Sequence, residues 1–263
     1  FIISASGDKT IRVWNIESGI EVCCLTGHTD SVNSVVFSLD GQFIISASGD
    51  KTIRVWNIES WIEVCCLTGH TYSVNSVVFS LDGQFIISAS GDKTIRVWNI
   101  EKGIETHKLE GHTRRVISAI FSPNGKLIIS GSHDKTLRIW DIENRTKAYK
   151  LGEHRKPLTS VSLSPDGKLI ISASHDKTMR IWNIESGKSI YEFKKTSYSY
   201  SIFVAFSPNG EQIASVLYDR KTLCIWNIYK AKEICILEGH IESISSIAFS
   251  PDGKQIASAL RDK

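Results

Sequence analysis

One phrase of 42 residues, spoken twice, constrains this chain more than any single motif. Phe43 to Gln84 reads FIISASGDKTIRVWNIESWIEVCCLTGHTYSVNSVVFSLDGQ. Phe1 to Gln42 is the same text with two differences: Gly19 becomes Trp61 and Asp30 becomes Tyr72. Looser copies follow, with tryptophans at Trp14, Trp56, Trp98, Trp140, Trp182 and Trp226, spaced by 42 residues four times and then by 44. A fixed period of this size means a repeat architecture, so the unit is read before the whole.

Within one unit, Ser31 to Phe37, Phe43 to Ser48, Thr52 to Trp56 and Ile62 to Leu67 are short, β-branched runs. Asp-Gly and Gly-Asp turns bound them, which is the pattern of strands joined by hairpins. None is long enough or suitably spaced for an amphipathic helix. Each unit is therefore expected to be a four-stranded antiparallel meander. Both faces of such a sheet are apolar, since Ile53 and Val55 point one way and Trp56 the other. Neighbouring copies must cover those faces. A linear stack leaves apolar ends and a ring leaves none, so radial repetition is the expected solution.

Gly27-His28, Ser46, Asp50 and Trp56 resemble the WD-repeat signature, and the resemblance runs over essentially the whole chain. In that family the His, Ser, Asp and Trp of each copy form a hydrogen-bonded tetrad. Carried over, the further tetrads are His70, Ser88, Asp92 and Trp98; His112, Ser130, Asp134 and Trp140; and His154, Ser172, Asp176 and Trp182. Pairing of these groups is also required on physical grounds, because an unpaired buried polar group costs about 1–3 kcal/mol. The expected fold is an all-β WD-repeat β-propeller. It would have six blades over residues 1–263, read as one domain and as a fragment that starts and ends mid-blade. Twenty-five strands are counted, where six closed blades need 24 and seven need 28, and the parent is expected to have seven blades or more.

Several copies depart from the pattern. The name-giving dipeptide is Trp-Asn at Asn15, Asn57, Asn99, Asn183 and Asn227, and only Asp141 keeps the acid. In Gly152-Glu153-His154 the glycine is displaced. Thr196 stands where a histidine belongs, leaving Ser215, Asp219 and Trp226 without an imidazole. That blade is expected to be the loosest.

Net charge is +3, and no apolar run approaches the 18 residues of a membrane span. The six cysteines include two adjacent pairs, Cys23-Cys24 and Cys65-Cys66, without the two-residue gap of a zinc knuckle. Buried, unoxidised thiols are expected, in a reducing compartment: the cytoplasm, with the nucleus as the alternative.

WD-repeat rings bind partners on the rim that carries the loops leading to the inner strands and the turn before the tetrad Asp. In the first copies those slots hold Ser31, Asn33 and Gly49, then Tyr72, Ser73, Asn75 and Gly91, a mostly small and polar set. The slots that follow hold Arg114, Arg115 and His133, then Arg155, Lys156 and His175, then Tyr198, Tyr200, Tyr218 and Arg220. Charge follows the same division. Residues 1–100 carry 6 basic and 10 acidic side chains, and residues 101–156 carry 12 and 7. Arginine and tyrosine are enriched at interface hot spots. The expected partner is another protein, through an acidic or phosphorylated segment gripped by these arginines. Trp61, in a turn on the opposite rim, is read as local packing rather than as a partner anchor.

The recurring His, Ser and Asp could be mistaken for a hydrolase triad. An enzyme needs one such set in a pocket, whereas a structural device is needed in every blade, so no catalysis is expected. His133 and His175 occupy equivalent positions but have no third ligand, and no metal or other cofactor is expected. SGDKT has no helix after it and is not a phosphate loop. A pI near 8.5 leaves nucleic acid a weaker alternative. The expected function is a non-catalytic scaffold or sensor domain, similar to signalling arrays of tandem WD repeats. A ubiquitin-ligase substrate receptor is the alternative. Receptors of that kind typically carry Arg two positions after the Trp-Asp pair, where this chain has Glu17, Glu59, Glu101, Glu143, Glu185 and Tyr229.

Overall fold

The computed structural model describes residues 1–143, 149–194, 203–217 and 219–260. Among them are twenty-five β-strands and no helix. The chain divides into two compact units, Phe1–Phe121 and Ser122–Lys263.

The first unit opens with β1 (Ile2–Ala5), β2 (Ile11–Trp14) and β3 (Glu21–Leu25), hydrogen-bonded in that order. Two full sheets follow, each a meander in chain order. One is β4 (Val32–Phe37), β5 (Phe43–Ser48), β6 (Ile53–Asn57) and β7 (Glu63–Leu67). The other is β8 (Val74–Phe79), β9 (Phe85–Ser90), β10 (Ile95–Asn99) and β11 (Ile104–Leu109), and β12 (Val116–Phe121) ends the unit. All the pairings are antiparallel, with Ile44 opposite Trp56 and Ser46 opposite Arg54. The hairpin turns are set by side chains. Asp50 Oδ1 accepts the Thr52 amide at 3.0 Å, and Lys51 between them takes φ 73°.

Two irregularities recur, and both aim side chains. The register shifts at each tryptophan, between Val55 and Trp56 and between Val97 and Trp98. It also shifts between Val32 and Ser34 and between Val74 and Ser76, which leaves Asn33 and Asn75 as the bulged residues. A bulge turns its extra residue out of the ladder. Here the freed amides reach the next sheet: Asn33 Nδ2 donates to Val74 O at 2.9 Å and Asn75 Nδ2 to Val116 O at 2.7 Å.

Apolar faces close on one another between sheets. Ile45, Ile53, Val55 and Leu67 of one sheet pack with Val74, Val77, Ile86 and Trp98 of the next. Trp98 is 2% exposed. Burying a Trp of about 150–250 Å² contributes several kcal/mol, which is what holds sheets that cannot stand alone. Trp61 is half-buried against the cluster of Ile11, Val13, Leu25, Val32, Ile44 and Trp56. It keeps the left-handed backbone of the glycine it replaces, at φ 58° against 68° for Gly19.

The second unit contains β13 (Leu127–Ser132), β14 (Thr136–Asp141) and β15 (Tyr149–Glu153), then two complete meanders. The first of these is β16 (Leu158–Leu163), β17 (Leu169–Ser174), β18 (Thr178–Asn183) and β19 (Lys188–Lys194). The second is β20 (Phe203–Phe206), β21 (Gln212–Val216), β22 (Leu223–Asn227) and β23 (Lys232–Leu237). The pair β24 (Ile244–Phe249) and β25 (Ile256–Leu260) follows. Ile171, Met179 and Ile181 pack with Val204, Phe206 and Ile213. The thiols correct the sequence expectation of burial. Among them Cys224 is buried, Cys23 and Cys65 are half-buried while their neighbours Cys24 and Cys66 are exposed, because alternate residues of an outer strand face water, and Cys235 lies on β23, where every residue is exposed.

Candidate functional site

Each full tetrad is a chain of donors with one direction. Trp56 Nε1 donates to Ser46 Oγ at 2.9 Å, and Ser46 Oγ lies 2.8 Å from His28 Nε2. His28 Nδ1 lies 2.8 Å from Asp50 Oδ2. A carboxylate only accepts, so Nδ1 carries the proton, Nε2 accepts from the serine and the serine accepts from the indole. Burial holds the His28 pKa below its ordinary value, which favours the neutral ring this chain of bonds requires. Burial opposes ionisation of Asp50, but hydrogen bonds from Thr52, the Thr29 amide and His28 outweigh it, and the carboxyl sits at about 2.

The same geometry recurs for His70, Ser88, Asp92 and Trp98, with the imidazole 2.7 Å from both Asp92 and Ser88 and the indole 2.8 Å from Ser88. It recurs again for His154, Ser172, Asp176 and Trp182, at 2.9, 2.7 and 2.8 Å. Of the remaining set, Trp140 Nε1 donates to Ser130 Oγ at 2.8 Å and Asp134 accepts the Thr136 amide at 2.9 Å in the second unit, while His112 is buried in the first. Ser46, Ser88, Ser130 and Ser172 are all 0% exposed. Their order of bonds is that of a Ser-His-Asp triad, but no substrate carbonyl can reach a sealed hydroxyl.

Sequence reasoning missed a fifth member. Thr52 Oγ1 donates to Asp50 Oδ1 at 2.7 Å and lies 3.3 Å from His28 Nδ1. Thr94 and Thr178 do the same to Asp92 and Asp176 at 2.6 Å. The recurring Asp-Lys-Thr triplet was the available signal. Partial sets were missed as well: Trp14 to Ser4 at 3.0 Å, and His240 Nε2 to Ser258 Oγ at 2.8 Å.

The glycine before the histidine has a steric cause. Gly27 has φ 155°, and a Cβ there would lie 2.8 Å from Arg54 Nη1 and 3.2 Å from Trp56 Cη2. The displaced glycine does the same work by another route. A Cβ on Gly152 would lie 2.1 Å from Trp182 Cζ3, and the β14–β15 register shifts at Leu137/Arg138, away from the tryptophan.

In the copy without an imidazole, Trp226 still donates to Ser215 at 2.8 Å. Asp219 turns back on its own loop, accepting the Lys221 and Thr222 amides at 2.9 and 3.0 Å, and Trp226 is only half-buried. Thr196 lies outside the described residues.

The rim residues divide by unit. In the first, Arg114 and Arg115 are exposed. In the second, Arg155 and Arg220 are exposed, and Arg155 is held by its own backbone amide, which donates to Asp176 Oδ2 at 2.8 Å. His133 and His175 are half-buried with ring centroids 6.3 Å apart and planes at 89°. Tyr198, Tyr200 and Tyr218 lie outside the described residues. Asn33 and Asn75, read from sequence as rim slots, spend their amides on the next sheet. Among the described residues no three His, Cys, Asp or Glu side chains cluster as a metal site.

A relative bears on one repeat of this chain. The mouse (Mus musculus) F-box-like/WD repeat-containing protein TBL1X is 45% identical over 42 residues, which is 16% of this chain and 8% of that protein. The similarity thus spans a small part of either. A family model described as WD domain, G-beta repeat matches residues 1–15, 19–57, 61–99, 103–141, 145–183 and 231–263, passing over the copy that lacks its histidine. With four-stranded antiparallel sheets, sealed tetrads and this match over most of its length, the chain belongs to the WD-repeat family of β-propellers.

Proposed function

We propose that this chain is a non-catalytic docking module that holds an acidic or phosphorylated protein segment on its loops. WD-repeat domains are in general protein-interaction scaffolds. The observation that carries the reading is the anchoring of the Arg155 backbone amide to a buried tetrad. Arg155 projects from a residue whose amide is bound by Asp176, so its position costs little ordering on binding. Arg155 and Arg220 in the second unit supply charge-assisted donors, His133 and His175 lie on the same unit, and Arg114 and Arg115 form a separate pair on the first. The F-box-like part of the relative's name describes that protein, and a 42-residue match equals one repeat, so no ligase role is carried over. Exposed thiols at Cys24, Cys66 and Cys235 suit a reducing compartment, and we assign the cytoplasm.

The test is fluorescence anisotropy with a glutamate-rich peptide, its phosphoserine form and a neutral analogue. The phosphorylated peptide should bind best. Arg155→Ala with Lys156→Ala, and separately Arg114→Ala with Arg115→Ala, should each weaken it about tenfold, roughly 1.4 kcal/mol. Equal binding of the neutral analogue would defeat the reading.

A further inference from the structure

Three successive loops of the first unit carry an ordered set of side chains. The first two copies agree at all but two of their 42 positions, and one of the two differences lies on this rim: Asp30 in one copy is Tyr72 in the next. The third loop has Arg114 and Arg115. All four side chains are exposed, Tyr72 by 62%.

The loops are latched by hydrogen bonds and adjoin one another. Ser48 Oγ donates to Asp30 O at 2.9 Å, and the Gly49 amide to Ser31 O at 2.9 Å. Ser90 Oγ lies 3.0 Å from both Tyr72 O and Ser73 O, and the Gly91 amide donates to Ser73 O at 2.8 Å. The Tyr72 ring rests on the backbone of Gly91, where an added Cβ would come within 2.3 Å of Cδ1. The bulged asparagines fasten each loop to the next, Asn33 at Ser73 and Val74, and Asn75 at Val116. Negative charge, a fixed aromatic face and double positive charge therefore follow one another across three neighbouring sheets.

We infer that this row is a binding site for a short extended peptide of ordered charge. The peptide has a lysine or arginine toward Asp30, an apolar residue on Tyr72 and a carboxylate or phosphate at Arg114 and Arg115. Packed sheets lie about 10 Å apart, so three loops span roughly 20 Å, or about six extended residues. The site deepens the docking reading above by giving its partner a polarity. Asp30 at one end disfavours a uniform polyanion, which separates a peptide from a nucleic acid strand. The replacement of Asp by Tyr in the second copy removes an acid from the loop beside the arginines and supplies a rigid amphipathic surface.

The test is selection of a displayed random heptapeptide library on the whole chain, followed by anisotropy with the enriched synthetic peptides. Tyr72→Asp is the decisive variant, because the first copy already carries Asp in the same latched loop and the fold tolerates it. Enriched peptides should carry a cation at one end, an apolar centre and an acid at the other. Tyr72→Asp should weaken them tenfold or more, Arg114→Ala with Arg115→Ala five- to tenfold, and Asp30→Asn three- to fivefold. Reversing the order of charge in the peptide should weaken binding to the same extent as Tyr72→Asp. No enrichment, enrichment that survives Tyr72→Asp, uniformly acidic peptides, or tighter binding of a twelve-nucleotide poly(U) strand would each overturn the site. If Tyr72→Asp is silent while Arg155→Ala with Lys156→Ala abolishes acidic-peptide binding, this site is wrong and the wider docking reading stands.

Discussion

The sheet β8–β11 and the sheet β20–β23 descend from the same phrase and differ in how well they are closed. In the first, Trp98 is 2% exposed and its indole begins an unbroken run of bonds through Ser88 and His70 to Asp92. In the second, the indole still meets a serine, but the sequence has Thr196 in place of the histidine, Trp226 is half-buried and every residue of β23 is exposed. Both keep the strands and their order. The imidazole is thus not needed to form a sheet. It ties the loop that leads into the inner strand down over the tryptophan.

Substitution of the two tryptophans should separate the sheets most. Trp98→Ala should cost about 3–5 kcal/mol, in the range for large buried side chains, and Trp226→Ala clearly less. Urea unfolding followed by hydrogen exchange of each sheet reads the difference, and equal losses would break the comparison. Gly152→Ala should cost about 1–3 kcal/mol, because the new methyl must displace the Trp182 ring. Gly19→Ala, with nothing near its Cβ, should lose only the strain of a left-handed backbone, about 1 kcal/mol.

Acid should sharpen the contrast. The buried His28 has a lowered pKa, so below its ordinary value of 6.5 the unfolded chain takes up a proton that the folded one resists. That stability is full above pH 6.5 and falls as pH drops. Asp50, at about 2 when folded and 3.8 when unfolded, adds a second loss between pH 4 and 2. Hydrogen exchange at pH 7 and pH 5 should show the sheet β4–β7 loosening, whereas β20–β23, without an imidazole, should change little. Thr159→Val should have the smallest effect. Thr159 is the bulged residue of β16 and its Oγ1 is shielded from solvent, so a methyl in place of the hydroxyl should change stability by no more than about 1 kcal/mol. A thermal melt checks it.

The sequence was most readable where copies repeat side-chain chemistry. Strand runs, Asp-Gly turns and the spacing of His28, Ser46, Asp50 and Trp56 recur often enough to stand out from chance. Bulges did not, because a bulge is a property of pairing, and neither Asn33 nor Asn75 shows from its own strand that it serves the next sheet. Thr52 was overlooked because a threonine after a turn is unremarkable until its hydroxyl is seen on Asp50. Trp61 was legible as local packing, which its place against the cluster of Ile11 and Trp56 matches, and only its left-handed φ needed the folded chain. Tyr72 was passed over among small polar slots, although it was one of only two departures from an otherwise verbatim copy.

The asparagine latch also bears on how such a chain can grow. The repeated phrase of 42 residues is as long as one four-stranded sheet with its connections. A tandem duplication of 42 residues, cut anywhere, restores every sheet to four strands and brings its own Asn33-type fastening. Lengthening the array by one copy therefore leaves no seam for selection to repair, which is the condition under which twin copies can persist side by side.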